Sequence, residues 1–312
     1  MSEPGALIGV DWGTSAFRAT LLDEGGAVLD RRSGPHGIMT VTDGDFAGVL
    51  TAQIGDWLAA GRAPVILSGM IGSRQGWLEA PYLTCPAGID DLAAALVRVP
   101  FEAAEAYIVP GVAAAAPHMR DVMRGEETQI FGALAELGAT GGRFVLPGTH
   151  SKWVLVEAER IVGFSTYMTG EIYAACRNHT ILGRLMKDGE KGDAAFIRGV
   201  ADGARVGGPG ALLNRLFGVR TAGLFGEVAG AGLADYLSGL LIGAEIADAG
   251  ERGSEVLIIA SDALEERYRA AAAALGIAAR VLDSDLAIKG QLAIARMAGL
   301  VATDGFTERR TC

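Results

Sequence analysis

The sequence predicts an α/β protein built from two lobes of related structure. Three observations carry this. Strand patterns precede helix patterns in both halves of the chain, as an α/β architecture requires. A strand–Gly-Thr–strand unit near the N-terminus returns in the second half. The 312 residues, half of them apolar, suffice for two hydrophobic cores.

The first element is the strand 6–11, an apolar run that ends in Asp11 and is followed by Gly13-Thr14-Ser15. Glycine after a strand often opens a helix, but here Phe17, Ala19 and Leu21 alternate with Arg18 and Thr20, so 16–22 is a second strand. Asp23-Glu24-Gly25-Gly26 turns the chain into a third strand, 27–32. Helix 45–60, strand 64–68, helix 89–97 and strand 106–109 follow. Pro110-Gly111 and the small residues after them mark a junction, which gives lobes of 1–111 and 112–312. The second lobe opens with helix 126–137 and the strands 143–147, 152–157 and 160–166. Helices 171–185, 192–204, 209–217 and 230–249, strand 255–260 and helices 262–275 and 286–300 complete it. The last helix, 286–300, is free to pack back on the N-terminal lobe, and the polar tail after Thr303 is expected to fray. Gly239, Gly243 and Ala244 predict that helix 230–249 packs closely on a partner helix.

The repeat is the strongest organisational signal. "LIGVDWGTSAFRATLLDEGGAVL" (7–29) and "RFVLPGTHSKWVLVEAERIVGF" (143–164) align without a gap, Gly13-Thr14-Ser15 falling on Gly148-Thr149-His150. Each copy reads strand, Gly-Thr, polar residue, strand, acidic turn, strand. Two such hairpins, one per lobe, are placed to face one nucleotide in a central cleft.

The chemistry follows from the turn. Glycine lets the backbone approach an anion, and successive N–H groups with a Thr hydroxyl can bind phosphate oxygens. That makes Gly13, Thr14, Ser15, Gly148 and Thr149 phosphate-binding candidates, with Lys152 beside the second turn. Asp11 beside phosphates would be repelled unless a cation intervenes, and Mg²⁺, which keeps several waters, suits that role. Leu146 replaces the aspartate in the second copy. Either hairpin alone is equally an ordinary turn; two aligned copies are not. A Walker A loop is excluded because no Gly-Lys dipeptide exists, and no G-x-G-x-x-G joins a strand to a helix.

A net charge of −10 without basic clusters argues against nucleic acid and membrane surfaces as partners. Cys85, Cys176 and Cys312 form no metal-spaced or disulfide set, which fits a cytoplasmic protein. The first residues lack a basic signal-peptide region, and the apolar run "LSGLLIGAEIADA" is short and broken by Glu245. A homodimer stays open.

The D-x-G-T-S opening, the second Gly-Thr hairpin and a late strand–small–helix unit resemble the acetate and sugar kinase/Hsp70/actin superfamily. More narrowly, "DWGTS", "SGMIGSRQGW", "APYLTCPAG", "DVMRGEETQ", "LPGTHSKW", "MTGE" and "LSGLLIGAEI" resemble the 2-keto-3-deoxygalactonate kinase (2-dehydro-3-deoxygalactonokinase) family, in order from residue 11 to 246. The resemblance implies a two-lobed actin-like (ribonuclease H-like) ATPase fold with duplicated mixed-sheet lobes. It implies Mg-ATP as phosphoryl donor, a keto-deoxy sugar acid as partner, and phosphorylation of the 6-hydroxyl of 2-dehydro-3-deoxy-D-galactonate in galactonate catabolism. The rivals are a kinase of another sugar or sugar acid and an actin-like ATPase switch without sugar chemistry. Switches of the activator type commonly carry cluster cysteines, and no such set is present.

Phosphoryl transfer to a hydroxyl needs a carboxylate to take its proton. Glu126-Glu127 sit where a helix begins, and larger sugar kinases resembling this superfamily place a catalytic aspartate there. Glu126 is therefore the candidate base, with Glu127 as the fallback; a purely helix-dipole role is the alternative. "SGMIGSRQGW" lies at a strand end, where ligands gather in α/β folds. Arg74 is the candidate for the substrate carboxylate, with Gly72 and Ser73 beside it and Trp77 as either a stacking wall or core. His150, with no evident catalytic partner and a hydrogen-bonding loop role as the alternative, and Glu171, which could instead cap the next helix, are further substrate-side candidates. Ser261 and Asp262 are the adenosine-side candidates, although Ala260-Ser261 stands where the superfamily often has a glycine pair.

Overall fold

The computed structural model describes residues 6–61, 63–115, 119–189, 192–205, 211–250, 255–260, 262–282 and 285–302. Contacts divide the chain into two compact units. The first contains 1–141, 156–163 and 285–312; the second contains 142–155 and 164–284. The first unit thus runs past residue 111, the expected junction, and takes in the final helix.

The first unit begins with β1 (Leu7–Trp12), β2 (Phe17–Leu22), β3 (Val28–Gly34), α1 (Phe46–Ala60) and β4 (Val65–Ser68). β5 (Tyr82–Thr84), β6 (Ala87–Gly88), α2 (Ile89–Ala94), β7 (Val97–Arg98) and β8 (Ala106–Ile108) follow. β9 (Gly111–Ala115), β10 (Arg120–Met123) and α3 (Glu126–Leu137) complete this stretch. The main sheet has the order β3-β2-β1-β4-β8-β7. β1 is central, so it is apolar on both faces, whereas β2 alternates buried and exposed residues. β1–β2 and β2–β3 pair antiparallel; β4 and β8 join in parallel. Trp12 meets Phe17 and Phe46 edge-on, at ring distances of 5.0 and 5.8 Å, in the core beneath this sheet. A second sheet, β10-β9-β5, leads into α3. Pro110-Gly111 is therefore the entry to β9, not a linker. β5, β6, β7, β9 and β10 escape the sequence because runs of two to five residues carry no readable period.

The second unit contains β11 (Gly142–Leu146), most of β12 (Ser151–Glu157), half of β13 (Arg160–Tyr167), α4 (Thr169–His179), α5 (Asp193–Ala204) and α6 (Ala211–Leu224). α7 (Leu233–Ala249), β14 (Val256–Ile259), α8 (Asp262–Ala274) and β15 (Ala279–Leu282) follow. Its strands run in the order β15-β14-β11-β12-β13. Read from the third strand, both orders begin third–second–first–fourth, so the sequence repeat is a repeat of topology. β12 and β13 are joined by Ala158-Glu159, both with positive φ (47° and 60°), a two-residue hairpin turn. The expected helix 171–185 is two elements. Thr180 accepts a bond from Leu182 N at 3.1 Å and so starts a separate 3-10 turn, Ile181–Leu185.

Glycines set two helix crossings. A Cβ on Gly203 of α5 would fall 2.1 Å from Leu240 O, and one on Gly239 of α7 would fall 2.0 Å from Phe196 O. The close partner expected for helix 230–249 is thus α5. α9 (Leu286–Met297) lies in the first unit against α3, where a Cβ on Gly290 would sit 1.8 Å from Thr128 O. Among the described residues, no helix is long and apolar enough to cross a membrane.

Candidate active site

In the first unit the site is built on the ends of β1 and β4 and the start of α3. Asp11 lies opposite Arg18 across the hairpin and accepts a hydrogen bond from its Nη1 at 3.1 Å. Burial raises the Asp11 pKa, and Arg18 offsets only part of that rise. The turn closes through Gly13 N to Ala16 O at 2.9 Å, leaving Thr14 and Ser15 exposed. Ile38 and Met39 donate from their N–H groups to the Gly13 and Thr14 carbonyls, which fixes the turn from behind.

Three segments converge next to Asp11. Ser68 pairs with it across β1 and β4, and Gly69 follows with φ 90°. A Cβ on Gly69 would lie 3.0 Å from Trp12 O and 3.2 Å from Asp11 Oδ1. Gly125 (φ 110°) leads into α3, and a Cβ there would lie 3.1 Å from Gly69 Cα. Only glycines allow this approach, and it sets the residue before the acidic pair against Gly69, which itself borders the aspartate. Glu127 is fully buried, and its two oxygens accept from Gly125 N at 2.7 and 2.8 Å. Burial, and next the charge of Glu126, push its carboxyl up to about 8. Glu126 is partly exposed and accepts from Arg124 N at 3.0 Å.

The loop after β4 is tied to the start of α3 by Arg124, a residue to which the sequence pattern assigns no role. Its side chain is buried, lies 4.2 Å above the Tyr82 ring and donates through Nη2 to Ala80 O at 2.8 Å. Gly72 makes room for it, because a Cβ there would sit 2.9 Å from Arg124 Nη1. Ser73 follows at the loop surface. Arg74 is 86% exposed in its side chain and pairs with Glu79 at 2.9 Å. Trp77 is half-buried beside the core: it stacks on Phe46 at 6.4 Å and meets Phe101 edge-on. Gln291 of α9 is a second residue outside the expected set. It donates to Val10 O at 2.9 Å and Ser68 Oγ at 2.8 Å, bracing both strand ends that carry the site. An amide on an otherwise apolar helix face was its signal.

In the second unit Gly148, Thr149 and His150 form the turn. Glu171 N donates to Thr149 O at 3.1 Å, so the start of α4 is docked on the hairpin. His150 does have an acidic partner, contrary to expectation: its Nε2 lies 2.6 Å from Glu171 Oε2. The pair was hidden because the two residues are distant in sequence and meet only through this docking. Lys152 is buried and donates to Thr166 Oγ1 at 2.8 Å on the neighbouring strand. A cavity of about 150 Å³ opens beside the turn, lined by Gly148, Thr169, Gly170, Tyr173, Ser238 and Arg267 among others. Ser261 lies outside the described residues; Asp262 begins α8, and its side chain is likewise outside them.

Among the described residues no cage of three or more metal-ligating side chains exists. Asp11 presents a single hard oxygen donor, 26% exposed. That fits Mg²⁺, which binds through one or two carboxylates plus phosphates and water and needs no protein cage.

Residues 11–294 match the model of the 2-keto-3-deoxy-galactonokinase family. The chain belongs to this family. A Rhizobium meliloti (strain 1021) protein named "Probable 2-dehydro-3-deoxygalactonokinase" is 38% identical over 304 residues, covering 96% of this chain and 99% of the relative. The 2-dehydro-3-deoxygalactonokinase of Escherichia coli (strain K12) is 34% identical over 285 residues, covering 90% and 94%. A crystal structure from Sinorhizobium meliloti that carries the same enzyme name superposes with a TM-score of 0.86 at 38% identity, covering 93% of this chain and 98% of that one. The two mixed-sheet units are accordingly the fold this chain shares with that structure.

Proposed function

We propose that the protein transfers the γ-phosphoryl group of ATP to the 6-hydroxyl of 2-dehydro-3-deoxy-D-galactonate. The observation that carries this reading is the family match, which spans both Gly-Thr hairpins and the acidic pair of α3. Thr14 and Ser15 in the first unit, with Gly13 allowing close approach while its own N–H closes the turn, and Gly148, Thr149 and Lys152 in the second, hold the phosphates. Asp11 would hold Mg²⁺, which would neutralise phosphate charge when bound. The 6-oxygen attacks phosphorus, the bond to the ADP oxygen breaks, and the hydroxyl proton passes to Glu126. The exposure difference favours Glu126 over Glu127: a fully buried carboxyl has no path to a substrate hydroxyl. Glu127 stays protonated at neutral pH, which spares Glu126 a like charge at its side. Arg74 exchanges Glu79 for the substrate carboxylate. Gly72 and Ser73 approach the sugar acid from the same loop, with His150 and Glu171 on its hydroxyls. The nucleoside end takes the cavity beside Gly148, whose wall includes Leu264, Arg267 and Tyr268 of α8, the helix that Asp262 opens.

A coupled ADP-release assay over a panel of keto-deoxy sugar acids tests this. ADP should appear with Mg-ATP and 2-dehydro-3-deoxy-D-galactonate together, and the product should carry the phosphate on O6. Faster turnover of a different sugar acid would reassign the substrate. Steady ADP release without any sugar acid would favour an ATPase switch.

A further inference from the structure

Glu245 of α7 is a buried carboxylate to which the kinase reading above gives no task. Its sequence neighbourhood, "LSGLLIGAEI", is otherwise apolar, so the residue is out of place unless something needs it. Its surroundings answer this. Oε1 accepts from Ser151 Oγ at 2.6 Å and from Trp153 Nε1 at 2.7 Å. Oε2 accepts from Tyr268 OH at 2.8 Å and from Thr169 Oγ1. Four donors saturate a carboxylate, two to each oxygen. They come from β12, from the first residue of α4 and from α8, three segments that local sequence does not bring together.

Those segments frame the second Gly-Thr turn. Ser151 follows His150 directly. Thr169 precedes Gly170, where a Cβ would fall 2.5 Å from Gly148 O, and Glu171 N bonds to Thr149 O. Thr169 and Tyr268 also line the cavity beside Gly148. Moving the carboxylate would release the strand after the turn and the helix docked on it at once. Burial raises the Glu245 pKa, and the four hydrogen bonds pull it back.

We infer that Glu245 is a positioning residue, which holds the Gly148–His150 turn and the start of α4 in the geometry that phosphoryl transfer uses. This rests on the kinase reading for the meaning of the turn, but not for the existence of the hub. The residue touches neither reactant and acts through the backbone it anchors.

Rescue by a conservative variant separates this from a merely stabilising role. In Glu245→Gln the amide oxygen can still accept from Ser151 and Trp153. Its NH₂ can donate to the Thr169 and Tyr268 hydroxyls, which rotate to accept. Glu245→Leu keeps similar volume but strands all four donors. At a temperature well below each unfolding transition, Glu245→Gln should keep kcat/KM for ATP within about threefold of the parent, while Glu245→Leu should lose at least about tenfold. Thr169→Val and Ser151→Ala each remove one donor and should show smaller losses of the same kind, which decides the matter if Glu245→Leu does not fold. Parental kcat and KM in the folded Glu245→Leu, or in both single-donor variants, would overturn the inference while leaving the kinase reading intact. If the parent transfers no phosphate to any sugar acid, the kinase reading fails. The hub is then judged by amide hydrogen exchange at 148–150 and 169–171, which should quicken in Thr169→Val and Ser151→Ala; unchanged exchange would overturn it.

Discussion

Glu127→Gln gives the sharpest quantitative test, because the relevant group is wholly buried and its perturbation is large. The carboxyl holds its proton up to about pH 8, against an ordinary value of 4.5. Between those values the unfolded chain has released the proton and the folded chain has not. The unfolded state therefore binds fewer protons, and this residue makes stability fall as pH rises from about 4.5, levelling off above about 8. The slope is about 1.4 kcal/mol per pH unit, hence about 4 kcal/mol between pH 5 and pH 8. Glutamine is neutral in both states and keeps an oxygen to accept from Gly125 N, so its variant lacks this slope. Any packing penalty from the new NH₂ is independent of pH and shifts only the offset. Thermal unfolding of the first unit can be followed by the fluorescence of Trp12, Trp57 and Trp77, all of which lie in it. The difference in Tm, variant minus parent, should grow by on the order of 10 °C from pH 5 to pH 8. A difference that stays constant across that range would mean Glu127 is ionised in the folded protein, and the reasoning from burial would fail. Turnover provides the second arm. Glu127→Gln should stay active, whereas Glu126→Gln should lose about 10²–10⁴-fold in kcat with little change in substrate affinity. The opposite pattern would move the base by one residue.

Four further outcomes follow from the surroundings of named residues. Asp11→Asn should leave the fold intact, cut kcat by about a hundredfold or more and raise the Mg²⁺ requirement; near-parental turnover at low Mg²⁺ would remove Asp11 from the metal side. Arg74→Ala should raise KM for the sugar acid about tenfold and leave KM for ATP unchanged, the modest size reflecting an exposed group already shared with Glu79. If substrate affinity holds, the carboxylate is bound elsewhere. Gly290→Ala should lower stability by at least about 1–3 kcal/mol, since its Cβ would meet the Thr128 backbone oxygen at 1.8 Å. Gly218→Ala on α6, with nothing within 4 Å, should be neutral or stabilising by up to about 1 kcal/mol in the same denaturation measurement.

Much of this protein was legible in its residues because the signals are local. Gly-Thr at 13–14, alternation at 17–22 and the turn at 23–26 determined the first three strands, and their gapless echo at 143–164 determined that the architecture is duplicated. The same local logic put the acidic pair at the start of α3 and Gly13 and Gly148 at tight turns. What only the tertiary structure decided depends on groups far apart along the chain. Glu126 and Glu127 are adjacent and chemically alike, yet packing against Gly125 buries the second and leaves the first partly exposed. His150 acquires Glu171, and Trp77 packs on Phe46, through contacts no period encodes. Glu245 stands 94 residues from Ser151 and 76 from Thr169, so its four donors could not be read from its apolar surroundings. Secondary structure follows from neighbours in sequence. Protonation and hydrogen-bond partners follow from desolvation and neighbours in space, which exist only once the chain has folded.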